Sequence, residues 1–84
     1  MSIPVYWNEK DAGSKRGDLV IDLEEDTVGD IRHRVEQQGL AGGKPFTMKR
    51  RKYLFLGRMD ARKAGDFFLG PEDFIVLSDP AHTD

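Results

Sequence analysis

The chain has 84 residues, no cysteine and a formal charge of −2 at neutral pH. That length fits one small domain, and the lack of cysteine removes disulfide staples, thiolate metal ligands and thiol nucleophiles. His33 and His82 stand far apart without metal-ligand spacing, and the longest apolar run, Tyr53–Leu56, is far short of the roughly 20 residues a membrane-spanning helix needs. Ile3, Val5 and Trp7 alternate with Pro4 and Tyr6, the period-two pattern of a half-buried strand. Pro4 cannot donate to a ladder and is therefore expected at the strand's start or at an unpaired position. Residues 8–17, polar and with two glycines, read as a long hairpin tip. Leu19, Ile21 and Leu23 alternate as a second strand, antiparallel to the first.

At Glu24–Asp26 the period changes. Thr27 with Asp30 three residues on has the spacing of an N-cap with an acidic partner. Val28, Ile31 and Val35 form one apolar stripe, and Gly39-Leu40 suits a left-handed terminator with its hydrophobic contact, so the helix is expected over residues 28–38. Ala41–Lys49 reads as a Gly- and Pro-containing connection and Lys52–Leu56 as a third strand ended by Gly57. Arg58–Asp66 is turn-like, Phe67–Leu69 a short apolar segment, and Phe74–Leu77 the last strand. The expected order is β-β-α-β-β, an α+β domain with a sheet of four to five strands covered on one face by one helix.

Charge is strongly blocked along the chain. Residues 1–17 carry +1, residues 18–38 carry −5, residues 39–63 carry +7, and residues 64–84 carry −5. Such segregation bears on partners rather than on fold. His33 lies between two arginines on the helix with no orienting acid. The chain contains no Gly-rich phosphate loop, nucleophile elbow or paired carboxylates in a plausible cleft, and the expectation is a non-enzyme without metal or cofactor. Trp7 reads as a core anchor in preference to an exposed aromatic at the hairpin base.

The stretches DTVGDIRHRVEQQGL, YLFLGR and AGDFFLGPEDFIVL, in that order, resemble ubiquitin and its β-grasp relatives. In that family an acidic-Thr pair opens the helix, as Asp26-Thr27 would here, and a Gly-apolar pair closes it, as Gly39-Leu40 would. A strand ending in Gly and a base corresponds to Leu54–Arg58, and an Asp-aromatic pair before a 3₁₀ turn to Asp66-Phe67. The resemblance covers residues 1–78, read as a ubiquitin-like domain, with 79–84 as a disordered tail. It implies a ubiquitin-like β-grasp with a mixed sheet. The ending SDPAHTD lacks the Gly-Gly of conjugated modifiers, and Gly42-Gly43 lie mid-domain, so a non-conjugated adaptor is expected. A modifier whose Gly-Gly lies beyond these residues is an alternative.

The same resemblance assigns faces. Tyr53, Ile75 and Leu77 are expected toward the helix with Ile3, Val5, Leu19, Ile21 and Leu23. Leu54, Val76, Tyr6 and Val20 are expected on the open face. Leu54 aligns with the isoleucine at the centre of ubiquitin's recognition patch, with Val76 beside it on the neighbouring strand. The expected partner-binding residues are Leu54, Val76, Tyr6, Lys52 and Arg58, rimmed by a basic patch of Lys49, Arg50, Arg51 and Lys52. An apolar centre with a basic rim complements an acidic amphipathic helix presented by a protein partner, within the ubiquitin pathway by resemblance. The same cluster at 49–58 could grip nucleic-acid phosphates as the second reading, and Lys49–Lys52 resembles a short nuclear-import signal. A monomer, cytoplasmic or nuclear and without a membrane segment, is expected.

Overall fold

Met1 and Ile21 exchange both backbone hydrogen bonds, at 2.9 and 2.7 Å. This fixes the register of the first hairpin in the computed structural model, which describes residues 1–8 and 14–80. Strands β1 (Ser2–Trp7) and β2 (Lys15–Val20) run antiparallel, pairing Ile3 with Leu19 and Pro4 with Asp18. Because bonded and non-bonded pairs alternate in such a ladder, Pro4 falls at a non-bonded pair. Its missing N–H faces β5, whose pairing with β1 begins only at Val5. The ring therefore costs no ladder bond. Strand β2 lies earlier in the chain than the expected 19–23, so part of the expected tip is strand; residues 9–13 of that tip lie outside the described residues, as do 81–84 of the expected tail.

Helix α1 (Val28–Gln37) is closed at both ends as its sequence suggests. The Thr27 hydroxyl accepts from the Asp30 amide at 3.2 Å, and the Asp30 carboxylate accepts from the Thr27 amide at 2.9 Å. At the other end Gly39 adopts φ 66°, the Gly39 and Leu40 amides donate to Glu36 and Val35 carbonyls, both at 3.1 Å, and Leu40 packs on the core. This is the paired C-terminal closure that needs a left-handed residue. The helix-start amides of Val28 and Gly29 donate instead to the carbonyls of Arg62 and Asp60, at 2.9 and 3.0 Å. The 60–64 segment thus satisfies donors a helix leaves orphaned.

Three more strands complete one mixed five-stranded sheet: β3 (Thr47–Arg50), β4 (Tyr53–Leu54) and β5 (Ile75–Ser78). The spatial order is β2-β1-β5-β3-β4, with β1 and β5 parallel and every other pair antiparallel. Short 3₁₀ turns occupy Gly57–Met59 and Ala64–Asp66. The architecture is a small α+β domain with one helix on one sheet. Val28, Ile31 and Val35 of α1 bury completely against Ile3, Val5, Leu19, Met48, Ile75 and Leu77.

Two expectations about this sheet are corrected. The segment read as a connection up to Lys49 holds all of β3 but its last residue, Arg50, and the expected third strand Lys52–Leu56 contracts to the two-residue β4. Alternation in Thr47–Arg50 is concealed because one of its two inward residues is an arginine: Met48 is fully buried and Arg50 is 6% exposed. Tyr53 does not enter the core. It is 42% exposed on the edge strand, its ring edge-on to Phe67 at 5.7 Å, and Phe55, at 2% exposed, fills the core instead.

Candidate functional site: the open sheet face

The pairing registers place Lys15, Tyr6, Val76, Lys49 and Leu54 in one row across all five strands. Tyr6 pairs with Lys15 on one side and Val76 on the other, Val76 pairs with Lys49, and Lys49 pairs with Leu54. Their chain neighbours Val5, Ile75, Leu77 and Met48 are fully buried under α1, so side-chain alternation turns this row to the opposite face, which carries no helix among the described residues. Tyr6, Val76, Lys49 and Leu54 are half-buried and Lys15 is exposed. Phe74 adds a ring edge-on to Tyr6 at 6.3 Å.

This geometry corrects the expected centre of the patch. Leu54 and Val76 are not on neighbouring strands: β3 runs between them and puts Lys49 there. The sequence reading puts Lys49 on the rim because it begins the third strand at Lys52. The signal that could have located it is the alternation of Thr47 and Lys49 with Met48. The face is apolar on both sides of a lysine.

The basic patch is also smaller than expected. Arg50 points inward, where its Nε donates to both carboxylate oxygens of Asp73 at 2.9 and 3.0 Å. Asp73 is 3% exposed and also accepts from the amides of Leu69 at 3.0 Å and Phe74 at 3.2 Å. Burial alone pushes the Asp73 carboxyl up, but Arg50 and the two amides together hold it below the ordinary carboxylate value. Arg50 therefore clamps β3 to the loop before β5 and is unavailable to a partner.

Arg51, Lys52 and Arg58 are exposed, with Arg51 Nε 4.0 Å from Asp73. Lys49, Lys52 and Arg58 form no ion pair among the described residues, whereas Arg62 is held by Asp66 at 3.2 Å.

Elsewhere the charge blocks interlock. Arg34 of α1 grips Asp26, with Nη2 to Oδ1 at 2.7 Å and Nη1 to Oδ2, and it caps the Val20 carbonyl at 3.1 Å. The Arg34 guanidinium, then the Asp22 amide, hold the Asp26 carboxyl below its ordinary value despite burial. Arg32 reaches Asp60 and the Phe55 carbonyl. Trp7 is half-buried at the core's edge instead of central, with Arg16 5.6 Å and Lys44 5.9 Å from its ring centroid.

Asp26 and Asp73 make stability acid-sensitive in a defined direction. Both carboxyls are depressed in the folded state, so their contribution is complete above the unfolded carboxylate range and is lost as pH falls through the folded values, below about pH 4. Urea midpoints should be level from about pH 7 to 5 and drop steeply below about pH 4. Arg34→Met should flatten part of that drop; an identical acid profile in this variant would contradict the assignment.

Among the described residues no helix is long and apolar enough to cross a membrane. Set against protein-family models, curated proteins and solved structures, the chain finds no match.

Proposed function

We propose that this chain is a ubiquitin-like β-grasp domain that acts as an adaptor, binding protein partners noncovalently through its open sheet face. The sheet order β2-β1-β5-β3-β4, with β1 and β5 parallel at its centre and one helix across one face, supports the fold part of this reading. The observation that carries the binding part is the row Tyr6–Val76–Lys49–Leu54, half-buried and contiguous across four strands. Adjacent apolar side chains such as Tyr6 and Val76, left together on a sheet face, mark interaction sites in a way that scattered ones do not. A phosphate-binding reading is weakened by the loss of Arg50 to its buried pair with Asp73.

The test is an amide-shift titration with an acidic amphipathic helical peptide and, separately, with a short single-stranded RNA. Peptide-induced shifts should concentrate on Tyr6, Val76, Lys49 and Leu54. Leu54→Ala and Val76→Ala should each weaken binding about tenfold, since each removes apolar area worth about 1.4 kcal/mol. Unchanged peptide affinity in both variants, or RNA saturating this face where the peptide does not, would overturn the proposal.

A further inference from the structure

On the helix side of the sheet, α1 and the loop that follows it enclose a cavity of about 490 Å³. That volume lies in the range of small-molecule sites, where an apolar lining and a few polar groups hold one ligand. Val35, Ala41, Pro45 and Phe46 supply the apolar lining, with Val35 fully buried and Ala41 6% exposed. The loop wall is already shaped. The Gly42 amide donates to the Gly39 carbonyl at 3.0 Å and the Lys44 amide to the Ala41 carbonyl at 3.3 Å, while Leu40 and Phe46 pack on the core.

Three charged residues complete the lining: Arg32, Glu36 and Lys44. Arg32 is already balanced. Its Nε and Nη2 donate to Asp60, at 3.2 and 3.0 Å, and Nη2 also donates to the Phe55 carbonyl at 2.9 Å. These bonds fix the guanidinium and leave Nη1 without a hydrogen bond among the described residues. Glu36 and Lys44 are exposed and form no ion pair among the described residues. The cavity therefore presents one unpaired cation, one unpaired anion and one positioned donor beside an apolar floor.

We infer that this cavity binds an apolar α-amino acid as its zwitterion. The aromatic or branched side chain lies on Val35, Ala41, Pro45 and Phe46, the carboxylate faces Arg32 and Lys44, and the ammonium group faces Glu36. Arg32 and Glu36 are one turn apart on the helix, and residues so spaced have Cβ atoms about 5–6 Å from each other. Because Arg32 turns to Asp60, the two do not pair with each other. A ligand with both charges on one carbon is short enough to sit between them. A simple apolar anion satisfies Lys44 and Arg32 but covers Glu36 without a partner, and a simple amine does the reverse. Each therefore loses affinity through the charge it leaves unpaired. The site is separate from the open sheet face, and the inference does not depend on the adaptor reading.

The experiment measures amide shifts and affinity for L-phenylalanine, 3-phenylpropionate, phenethylamine and glycine. The wild-type chain is compared with Glu36→Gln, Lys44→Gln and Leu54→Ala, each checked for native amide dispersion. L-phenylalanine should shift the amides of Val35, Glu36, Ala41 and Lys44 saturably. Loss of its ammonium group, in 3-phenylpropionate, or of its carboxylate, in phenethylamine, should weaken binding at least about fivefold, and glycine should not bind. Glu36→Gln should weaken L-phenylalanine about fivefold and leave 3-phenylpropionate unchanged or tighter. Lys44→Gln should weaken both of these and spare phenethylamine, and Leu54→Ala should alter none.

Equal affinity for L-phenylalanine and 3-phenylpropionate, or no effect of Glu36→Gln on L-phenylalanine, would overturn the zwitterion. Glycine binding as tightly as L-phenylalanine would overturn the role of the apolar floor. Absence of saturable shifts at the cavity with L-phenylalanine would overturn the site itself, whatever the open face binds.

Discussion

Asp73→Ala should lower the stability of this domain by about 3–5 kcal/mol, the cost of leaving one member of a buried ion pair without its partner. Asp73 is only 3% exposed and Arg50 only 6%. Arg50 has little alternative: Nε bonds to Asp73 alone, and the buried Nη2 has no hydrogen-bond partner among the described residues. Removing the carboxylate would strand a guanidinium under the sheet and leave the Leu69 and Phe74 amides without their acceptor.

For a domain of this size the melting temperature should fall by at least about 12 °C. Asp73→Asn keeps one acceptor and should fall between wild type and Asp73→Ala. A double-mutant cycle with Arg50→Ala should return a coupling above about 1 kcal/mol. Additive single effects would mean that the pair does not act as a unit. The same measurement separates structure from binding, because Arg50 faces inward and its loss should act on the partner site only through stability.

Gly65→Ala should cost about 3 kcal/mol, at the upper end of the range for overpacking. A methyl at Gly65 would lie 2.8 Å from the Leu23 carbonyl oxygen, the same atom that accepts the Gly65 amide at 3.1 Å. The obstacle is backbone and cannot rotate aside. Nor can the segment readily withdraw, since Ala64 donates to the Asp26 carbonyl at 2.8 Å and the preceding residues cap the start of α1.

Two other glycines calibrate this. At Gly17 the neighbour is the flexible end of Leu40, at 2.9 Å, and Gly17→Ala should cost less. At Gly57 nothing lies within 4 Å, and Gly57→Ala should change stability by no more than about 0.5 kcal/mol. Chemical denaturation of the three variants gives the ranking, and a Gly65→Ala protein as stable as Gly57→Ala would refute the close-approach argument.

These two sites show where local sequence stops being informative. The capping pair Thr27 and Asp30, the stripe Val28, Ile31 and Val35, and the closing Gly39-Leu40 were all legible, because each device works between residues only a few positions apart. The β1–β2 hairpin was legible in kind from its alternation but not in register, since its tip gives no local measure of where the pairing resumes. Asp73 and Gly65 carried no local signal, because their partners Arg50 and Leu23 are 23 and 42 positions away in the chain.

By itself the sequence determined one small α+β domain, the helix with both of its ends, most of the residues of its core, and a strongly segregated pattern of charge. Those properties follow from periodicity and composition, which act along the chain. The tertiary structure decided which charges are free. It buried Arg50 against Asp73, tied Arg34 to Asp26 and Arg62 to Asp66, and set Lys49 between Val76 and Leu54. Lys49 and Arg50 are adjacent in sequence and have opposite fates, because successive residues of a strand face opposite sides of the sheet and only strand placement assigns each to its side.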